Sequence, residues 1–123
     1  MHVRLMKSFS FEAAHFLPGF PDGHKCRRMH GHSFRVDVFV EGRIPDGQHH
    51  LVDYGEIKDA IRPIRAQLDH YLLNEIPGLE HPTSEVIAAW IWERLAPSLP
   101  LLAEIHVHET CTNRCEYRGP RVS

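Results

Sequence analysis

The sequence lacks any long hydrophobic run, and it lacks the basic and then apolar beginning that is typical of a secretion signal. Its first residues instead alternate apolar with polar side chains, and Val3, Leu5, Phe9 and Phe11 occupy the apolar positions. This alternation is typical of a half-buried strand and not of an export or anchor segment. We therefore expect a cytoplasmic protein without a membrane partner.

Net charge is also small. Fourteen basic and 16 acidic residues leave a formal net charge of -2, with an isoelectric point near 6.6. Nonspecific nucleic-acid binding depends on a broad basic face that neutralises phosphates, and this composition supplies none. The expected partners are small molecules or further copies of the chain.

Cysteine is scarce, whereas histidine is abundant. Cys26, Cys111 and Cys115 are an odd number of cysteines in a chain without a recognisable secretion signal, so free thiols or metal ligands are expected. Eleven of the 123 residues are histidine, and no terminal run of them suggests an affinity tag. This enrichment indicates a metal site.

The length of 123 residues, 42% of them hydrophobic, suits one compact domain that spans residues 1–123. Period-two alternation predicts two long strands, at roughly 3–12 and 32–42. The segment between them is rich in turn-forming residues and too long for a tight hairpin. Loops of that length often carry function.

Two helices are predicted in the second half of the chain. Asp53 can cap a helix over 54–68, in which Pro63 is expected to produce a kink. Thr83 can cap a second helix, which ends before Pro97.

The last part of the chain predicts two more strands. The third carries Ile105, Val107 and Glu109 on one face, and a short fourth lies near 116–118. The order ββααββ predicts an α+β fold, in which two helices cover one face of a four-stranded antiparallel sheet. So small a sheet has open edges, and oligomerisation is one way to satisfy them.

The most informative pattern is the H-x-H sequence of His30 and His32 at the start of the second strand. Residues two apart in a strand point to the same side and can present two imidazoles to one ion. Their parity matches that of Phe34, so both are predicted to face the buried side, where His15 could meet them. Three histidines without a fourth protein ligand predict an open zinc site, although ordinary core or surface histidines would show the same pattern.

Cys26 precedes His30 by four residues, and two interpretations stay open. As a fourth zinc ligand it would close the site and make it structural. As a free thiolate beside the metal it could remove a proton from a substrate.

Asp69-His70 and Glu109 are further candidates. A carboxylate beside an imidazole suits a proton relay, although such pairs are also common on surfaces. Glu109 shares a strand face with apolar side chains and needs a donor partner, which could be a guanidine-like edge of a ligand, a buried arginine or water. His106 and His108 form a second H-x-H, but strand parity places both on the face opposite Ile105, which is predicted to point outward.

Taken together, five ordered motifs resemble the 6-pyruvoyltetrahydropterin synthase superfamily. The resemblance runs over nearly the whole chain: F-E-A-A-H at 11–15, C-R-R-M-H-G-H at 26–32, L-D-H-Y-L-L-N at 68–74, P-T-S-E at 82–85 and H-E-T-C-T at 108–112. It implies the tunnelling fold, in which sheets of several subunits, a hexamer or similar, join into a barrel with active sites at subunit interfaces.

The resemblance also implies roles for individual residues. It implies that His15, His30 and His32 bind Zn²⁺, and that Cys26 is the catalytic base. His70 with Asp69 would relay protons, Glu109 would anchor a pterin ring, and Thr83 and Ser84 would contact the pterin, partly across an interface.

The C-x3-H-G-H spacing is similar to that of the bacterial 6-carboxytetrahydropterin synthase group within the superfamily. That similarity implies a lyase that converts 7,8-dihydroneopterin triphosphate to 6-carboxy-5,6,7,8-tetrahydropterin, acetaldehyde and triphosphate, in queuosine (7-deazaguanine) biosynthesis. The alternatives are a 6-pyruvoyltetrahydropterin synthase, which uses the same substrate, and a noncatalytic structural zinc-binding module.

Overall fold

The computed structural model describes residues 1–120. The strands and helices follow in the order β1 (His2–His15), β2 (His30–Arg43), α1 (Tyr54–Leu68), β3 (Tyr71–Leu72), α2 (Ser84–Leu95), β4 (Leu102–Thr110) and β5 (Asn113–Tyr117). Single 3₁₀ turns occur at Lys25–Arg27 and Leu73–Glu75. None of the helices in this range is long and apolar enough to cross a bilayer.

The α+β class is confirmed, but the sheet has five strands where the sequence predicts four. Its order is β3-β1-β2-β4-β5, and every neighbouring pair is antiparallel except β3 with β1. β3 forms because the chain leaves α1 beside β1, where the backbone N–H of His70 donates to the carbonyl of Glu12. A two-residue strand is too short to show a period-two pattern in the sequence.

Both helices begin and end where the sequence predicts. The Asp53 carboxylate accepts from the backbone N–H of Gly55 at 2.8 Å and caps α1, which runs without interruption through Pro63. The Thr83 hydroxyl accepts from the backbone N–H of Val86 at 3.2 Å and caps α2.

The core lies between the helices and one face of the sheet. Strand parity places Phe11 opposite Phe34 and Val36 opposite Val107, and all four side chains are buried. Burial of this face is the main stabilising contribution, at roughly 25 cal/mol per Å² of apolar surface. The opposite face of the sheet is polar. Within residues 1–120 the helices pack on the other face, and on this one charged side chains pair with one another.

Candidate active site

The ends of β1 and β2 bring the three predicted metal ligands together. His15 of β1 pairs with His30 of β2 in the antiparallel register. The next pair is Ala14 with Gly31, and the one after it is Ala13 with His32. The ring centroids are 4.5 Å apart for His15 and His30, 5.2 Å for His15 and His32, and 4.9 Å for His30 and His32. The predicted shared side of these histidines is therefore confirmed.

Backbone carbonyls orient two of the three imidazoles. His15 Nδ1 lies 2.8 Å from the carbonyl of Pro82, and His30 Nδ1 lies 2.7 Å from the carbonyl of Arg28. A carbonyl can only accept, so each Nδ1 carries a proton, and Nε2 is the nitrogen of each ring that can offer a lone pair to a ligand. Metal-binding histidines are commonly held in this way by a partner on the second nitrogen.

Two buried nitrogens have no hydrogen-bond partner among the described residues. They are Nε2 of His15, whose side chain is fully buried, and Nε2 of His32. Oε1 of Glu109 lies 3.2 Å and 3.1 Å from them, close enough for an ion pair but without forming a hydrogen bond to either nitrogen. Buried polar atoms are normally paired, so the two nitrogens point to an absent ligand.

The residues present fit a metal ion. His15, His30, His32 and Glu109 each offer one ligand atom, and these atoms all lie within 4.8 Å of one another. Burial lowers the pKa of His32 below its usual value, with His15 and His30 adding to the effect and Glu109 opposing it. His32 is therefore neutral near pH 7, the form that binds a metal.

Glu109 is ionised in the same cluster. The contact with His15 is the main reason that the pKa of its carboxyl group lies below the usual value, and partial burial opposes that shift. The carboxylate is thus available either to a metal ion or to N–H donors of a ligand.

Cys26 stands apart from this cluster. It lies half-buried in the 3₁₀ turn, where its carbonyl accepts from the backbone N–H of Leu17 at 2.8 Å and its own N–H donates to His24 Nδ1 at 3.1 Å. Within residues 1–120, its sulfur is not among the ligand atoms that converge with the three histidines. Cys111 and Cys115 are also free thiols.

Asp69 holds His70 against the end of β1. The Asp69 carboxylate accepts from the backbone N–H of Glu12 at 2.9 Å and lies 3.0 Å from His70 Nδ1. The first of these contacts is the main reason that the pKa of Asp69 is lowered. His70 has a φ of 66°, a strained value for a residue other than glycine, and such strain is concentrated at functional sites.

A shallow depression of about 510 Å³ connects this pair to the histidine cluster. His32 and His70 both line it, together with Glu12, Ala13, Ala14, Gly31, Ser33, Tyr71 and Leu72. The His70 side chain is 77% exposed, so it can exchange protons with a ligand seated there.

Thr83 and Ser84 lie beside the cluster at the start of α2. Thr83 is the helix cap, and the preceding residue, Pro82, orients His15. A contact of Thr83 or Ser84 with a ligand stays a prediction.

Three contributors to the site were not predicted from the sequence. Two are the carbonyls of Pro82 and Arg28, because an acceptor on the backbone leaves no signature in the sequence. The third is Asn74, whose side chain accepts from the N–H of Phe16 at 3.0 Å and donates to its carbonyl at 2.8 Å, fixing the chain directly after His15. Asn74 ends the L-D-H-Y-L-L-N motif, which could have drawn attention to it.

Comparison with known proteins shows which family the sequence and the fold resemble. The family model for 6-pyruvoyl tetrahydropterin synthase matches residues 4–120. A Synechocystis protein named 6-carboxy-5,6,7,8-tetrahydropterin synthase is 45% identical over 97% of this chain and 95% of its own length. A Pyrococcus furiosus protein named dihydroneopterin monophosphate aldolase is 36% identical over 81% of each chain. The Caenorhabditis elegans 6-pyruvoyl tetrahydropterin synthase structure has a TM-score of 0.89 at 24% identity, over 98% of this chain and 97% of its own.

The chain therefore belongs to the 6-pyruvoyl tetrahydropterin synthase family. The predicted tunnelling fold of the subunit and the prediction of an enzyme, a lyase of this family, are confirmed.

Proposed function

We propose that this protein is a zinc-dependent 6-carboxy-5,6,7,8-tetrahydropterin synthase. The pair of buried nitrogens without partners, His15 Nε2 and His32 Nε2, is the observation that carries the proposal, because it calls for a ligand at the convergence of three imidazoles. The extent of the likeness to the Synechocystis protein supports the choice of reaction.

His15, His30 and His32 would hold Zn²⁺, since neutral imidazoles are among its preferred ligands. Bound there, the ion would polarise side-chain oxygens of the substrate and make the adjacent C–H more acidic. Cys26 is not among the converging ligand atoms, and Glu109 would bind the substrate instead of the ion. Three histidine ligands would then leave an open position, as catalysis requires and a structural site does not.

Cys26 and the Asp69–His70 pair would transfer the protons. The Asp69 carboxylate lies 3.0 Å from Nδ1 of His70, which leaves Nε2 of the exposed ring free to accept or donate a proton in the depression. Cys26, in the loop before β2, would act as the base that removes the substrate proton.

Glu109 would bind the substrate, together with Thr83 and Ser84. An ionised carboxylate can accept two parallel N–H bonds from the guanidine-like edge of a pterin. Oε1 of Glu109 lies 3.2 Å from His15 and 3.1 Å from His32. Glu109 would therefore hold the pterin ring where the side chain of the substrate reaches the histidine cluster.

The proposed reaction converts 7,8-dihydroneopterin triphosphate and water to 6-carboxy-5,6,7,8-tetrahydropterin, acetaldehyde and triphosphate. In the cell this step would serve queuosine (7-deazaguanine) biosynthesis in the cytoplasm. The active enzyme would be a homo-oligomeric barrel with sites at the subunit interfaces.

The test is to incubate the zinc-loaded protein with 7,8-dihydroneopterin triphosphate and to identify the products by mass spectrometry. The proposal predicts 6-carboxytetrahydropterin together with acetaldehyde. Pyruvoyltetrahydropterin without acetaldehyde would instead assign the sibling activity, and absence of turnover by any zinc-loaded preparation would favour a structural zinc module. Cys26→Ala, run in parallel, should retain zinc and lose turnover. Cys111→Ala, which removes an exposed thiol, is its matched control.

A further inference from the structure

A second group of metal-ligating side chains lies on the opposite face of the sheet. His106 and His108 repeat the H-x-H spacing on β4, and Asp37 stands directly across from His106 on β2. Ligand atoms of these three residues all lie within 4.8 Å of one another. The sheet therefore carries one H-x-H pair on each face, because the parity of His106 and His108 is opposite to that of Val107.

These side chains are largely shielded from solvent, although the sequence predicts that the two histidines point outward. Asp37 is 6% exposed, and the side chains of His106 and His108 are each 14% exposed. A carboxylate and two imidazoles withdrawn from water need strong partners. The parity prediction is correct, but the polar face is not open to solvent at this point.

Nε2 of His108 has two neighbours that make opposite demands on it. Oδ2 of Asp37 lies 2.8 Å away and requires a donor, whereas Nη2 of Arg35 lies 3.1 Å away and requires an acceptor. One ring nitrogen cannot meet both demands at once. A cation bound to the lone pair of Nε2 and to Asp37 would remove the conflict, provided that Arg35 moves aside.

The neighbouring imidazole already has the partner that a metal ligand requires. Nε2 of His106 is in close contact with the carboxylate of Glu104, which leaves Nδ1 as its free nitrogen. A carboxylate that accepts from the second nitrogen of a metal-binding histidine fixes the ring and raises its basicity.

We propose that Asp37, His106 and His108 form a second site for a divalent transition-metal ion, separate from the three-histidine cluster. Two imidazoles and one carboxylate suit Zn²⁺ and its neighbours in the first transition row, and suit Mg²⁺ or Ca²⁺ poorly. Three protein ligands leave room for water in the remaining position.

Arg35 sets the affinity of this site because its charge competes with the ion. Its Nε lies 3.4 Å from Asp37 Oδ1, and its side chain is 55% exposed, so it can turn into solvent. The other guanidinium groups nearby, Arg4 and Arg118, are paired with Glu104 at 3.1 Å and 3.3 Å. Arg35→Ala should therefore tighten binding at this site by about tenfold or more, the effect of one removed like charge in a partly buried cluster.

The test is to titrate the full chain with Zn²⁺ against a competing chelator and to count the ions bound per chain. The wild type is expected to bind two, one at each cluster. His108→Ala and Asp37→Asn should lose the weaker ion and keep the other, whereas His32→Ala should lose only the ion of the three-histidine cluster. His49→Ala, which removes an exposed histidine, should keep both.

A single ion in the wild type, or a second ion that survives both His108→Ala and Asp37→Asn, would overturn the proposal. Imidazole ¹⁵N spectra of the wild type provide a readout that is independent of variant folding. The second equivalent of Zn²⁺ should shift the ring signals of His106 and His108, and shifts confined to other histidines would overturn it too.

Discussion

Single atoms of the backbone determine what the histidine cluster can do. The carbonyls of Pro82 and Arg28 fix the protons of His15 and His30 on Nδ1 and direct both Nε2 lone pairs into the cluster. Any ligand therefore meets acceptors already in place and needs little reorganisation of the protein.

Glu109→Gln separates two roles for that carboxylate. If Glu109 anchors the pterin, the variant should retain the zinc of the three-histidine cluster and lose roughly 10–100-fold in kcat/KM, because a charge-assisted pair becomes a neutral one. Steady-state kinetics with metal analysis measures both quantities. Loss of zinc at unchanged protein folding would instead make Glu109 a metal ligand.

Asp69→Asn tests the orienting role of this carboxylate on His70. The amide can still accept from the Glu12 N–H, so the fold and the zinc content should persist, while kcat should fall roughly 100-fold as the proton relay is lost. Asp59→Asn, on an exposed position of α1, is the control. An unchanged kcat would remove Asp69 from the mechanism.

The same variant gives a pH signature. Because the pKa of Asp69 is lowered in the folded protein, its charge contributes stability above the pKa of the unfolded chain, about 3.9, and the contribution is lost as the pH falls through the folded value. The stability difference between the wild type and Asp69→Asn, measured by urea denaturation, should therefore be constant near neutrality and shrink in acid. A difference that grew in acid would contradict this assignment.

Among the elements, those with a strong hydrophobic period could be predicted from the sequence. α1 and α2 match their predicted bounds because each has a capping side chain and a continuous apolar stripe. The long strands extend further than predicted, to His15 and from His30, because the histidines at their ends interrupt the apolar alternation while their backbones still pair. β3 depends on tertiary contact with β1, which no local pattern records.

The cap of α2 is the element-scale feature most open to test. Thr83→Ala should lower the free energy of unfolding by about 1 kcal/mol, because the N–H of Val86 loses its acceptor, whereas Thr83→Ser should leave it nearly unchanged. Urea denaturation of both variants measures the difference. Equal stability of the alanine and serine variants would show that the hydroxyl does not cap the helix.

For the whole molecule, the histidine cluster could be predicted from the sequence more readily than the surroundings of the site. Strand parity predicted that His15, His30 and His32 share a side, and the structure brings them together. The spacing of Cys26 from His30 left two interpretations open, because a loop of that kind sets no direction for a side chain. The proposed interface around the site would be formed with neighbouring subunits, and contacts of that kind leave no local pattern in the sequence.

The proposed oligomeric barrel predicts that activity depends on assembly. Sedimentation analysis should find a species several times heavier than the 14.2 kDa chain. Dilution into the monomer range should reduce turnover per chain while the zinc of the three-histidine cluster is retained, because the sites would lie between subunits. Full turnover by a monomeric species would contradict that prediction.

In the proposed mechanism, three histidines hold the metal and leave Cys26 free for chemistry. Zinc content and turnover of Cys26→Ala and His32→Ala, compared with those of the wild type, test this division of roles. Cys26→Ala should keep the zinc of the three-histidine cluster but lose turnover, whereas His32→Ala should lose both. A Cys26→Ala protein that loses that zinc, beside a His32→Ala protein that keeps it, would show that the division is wrong.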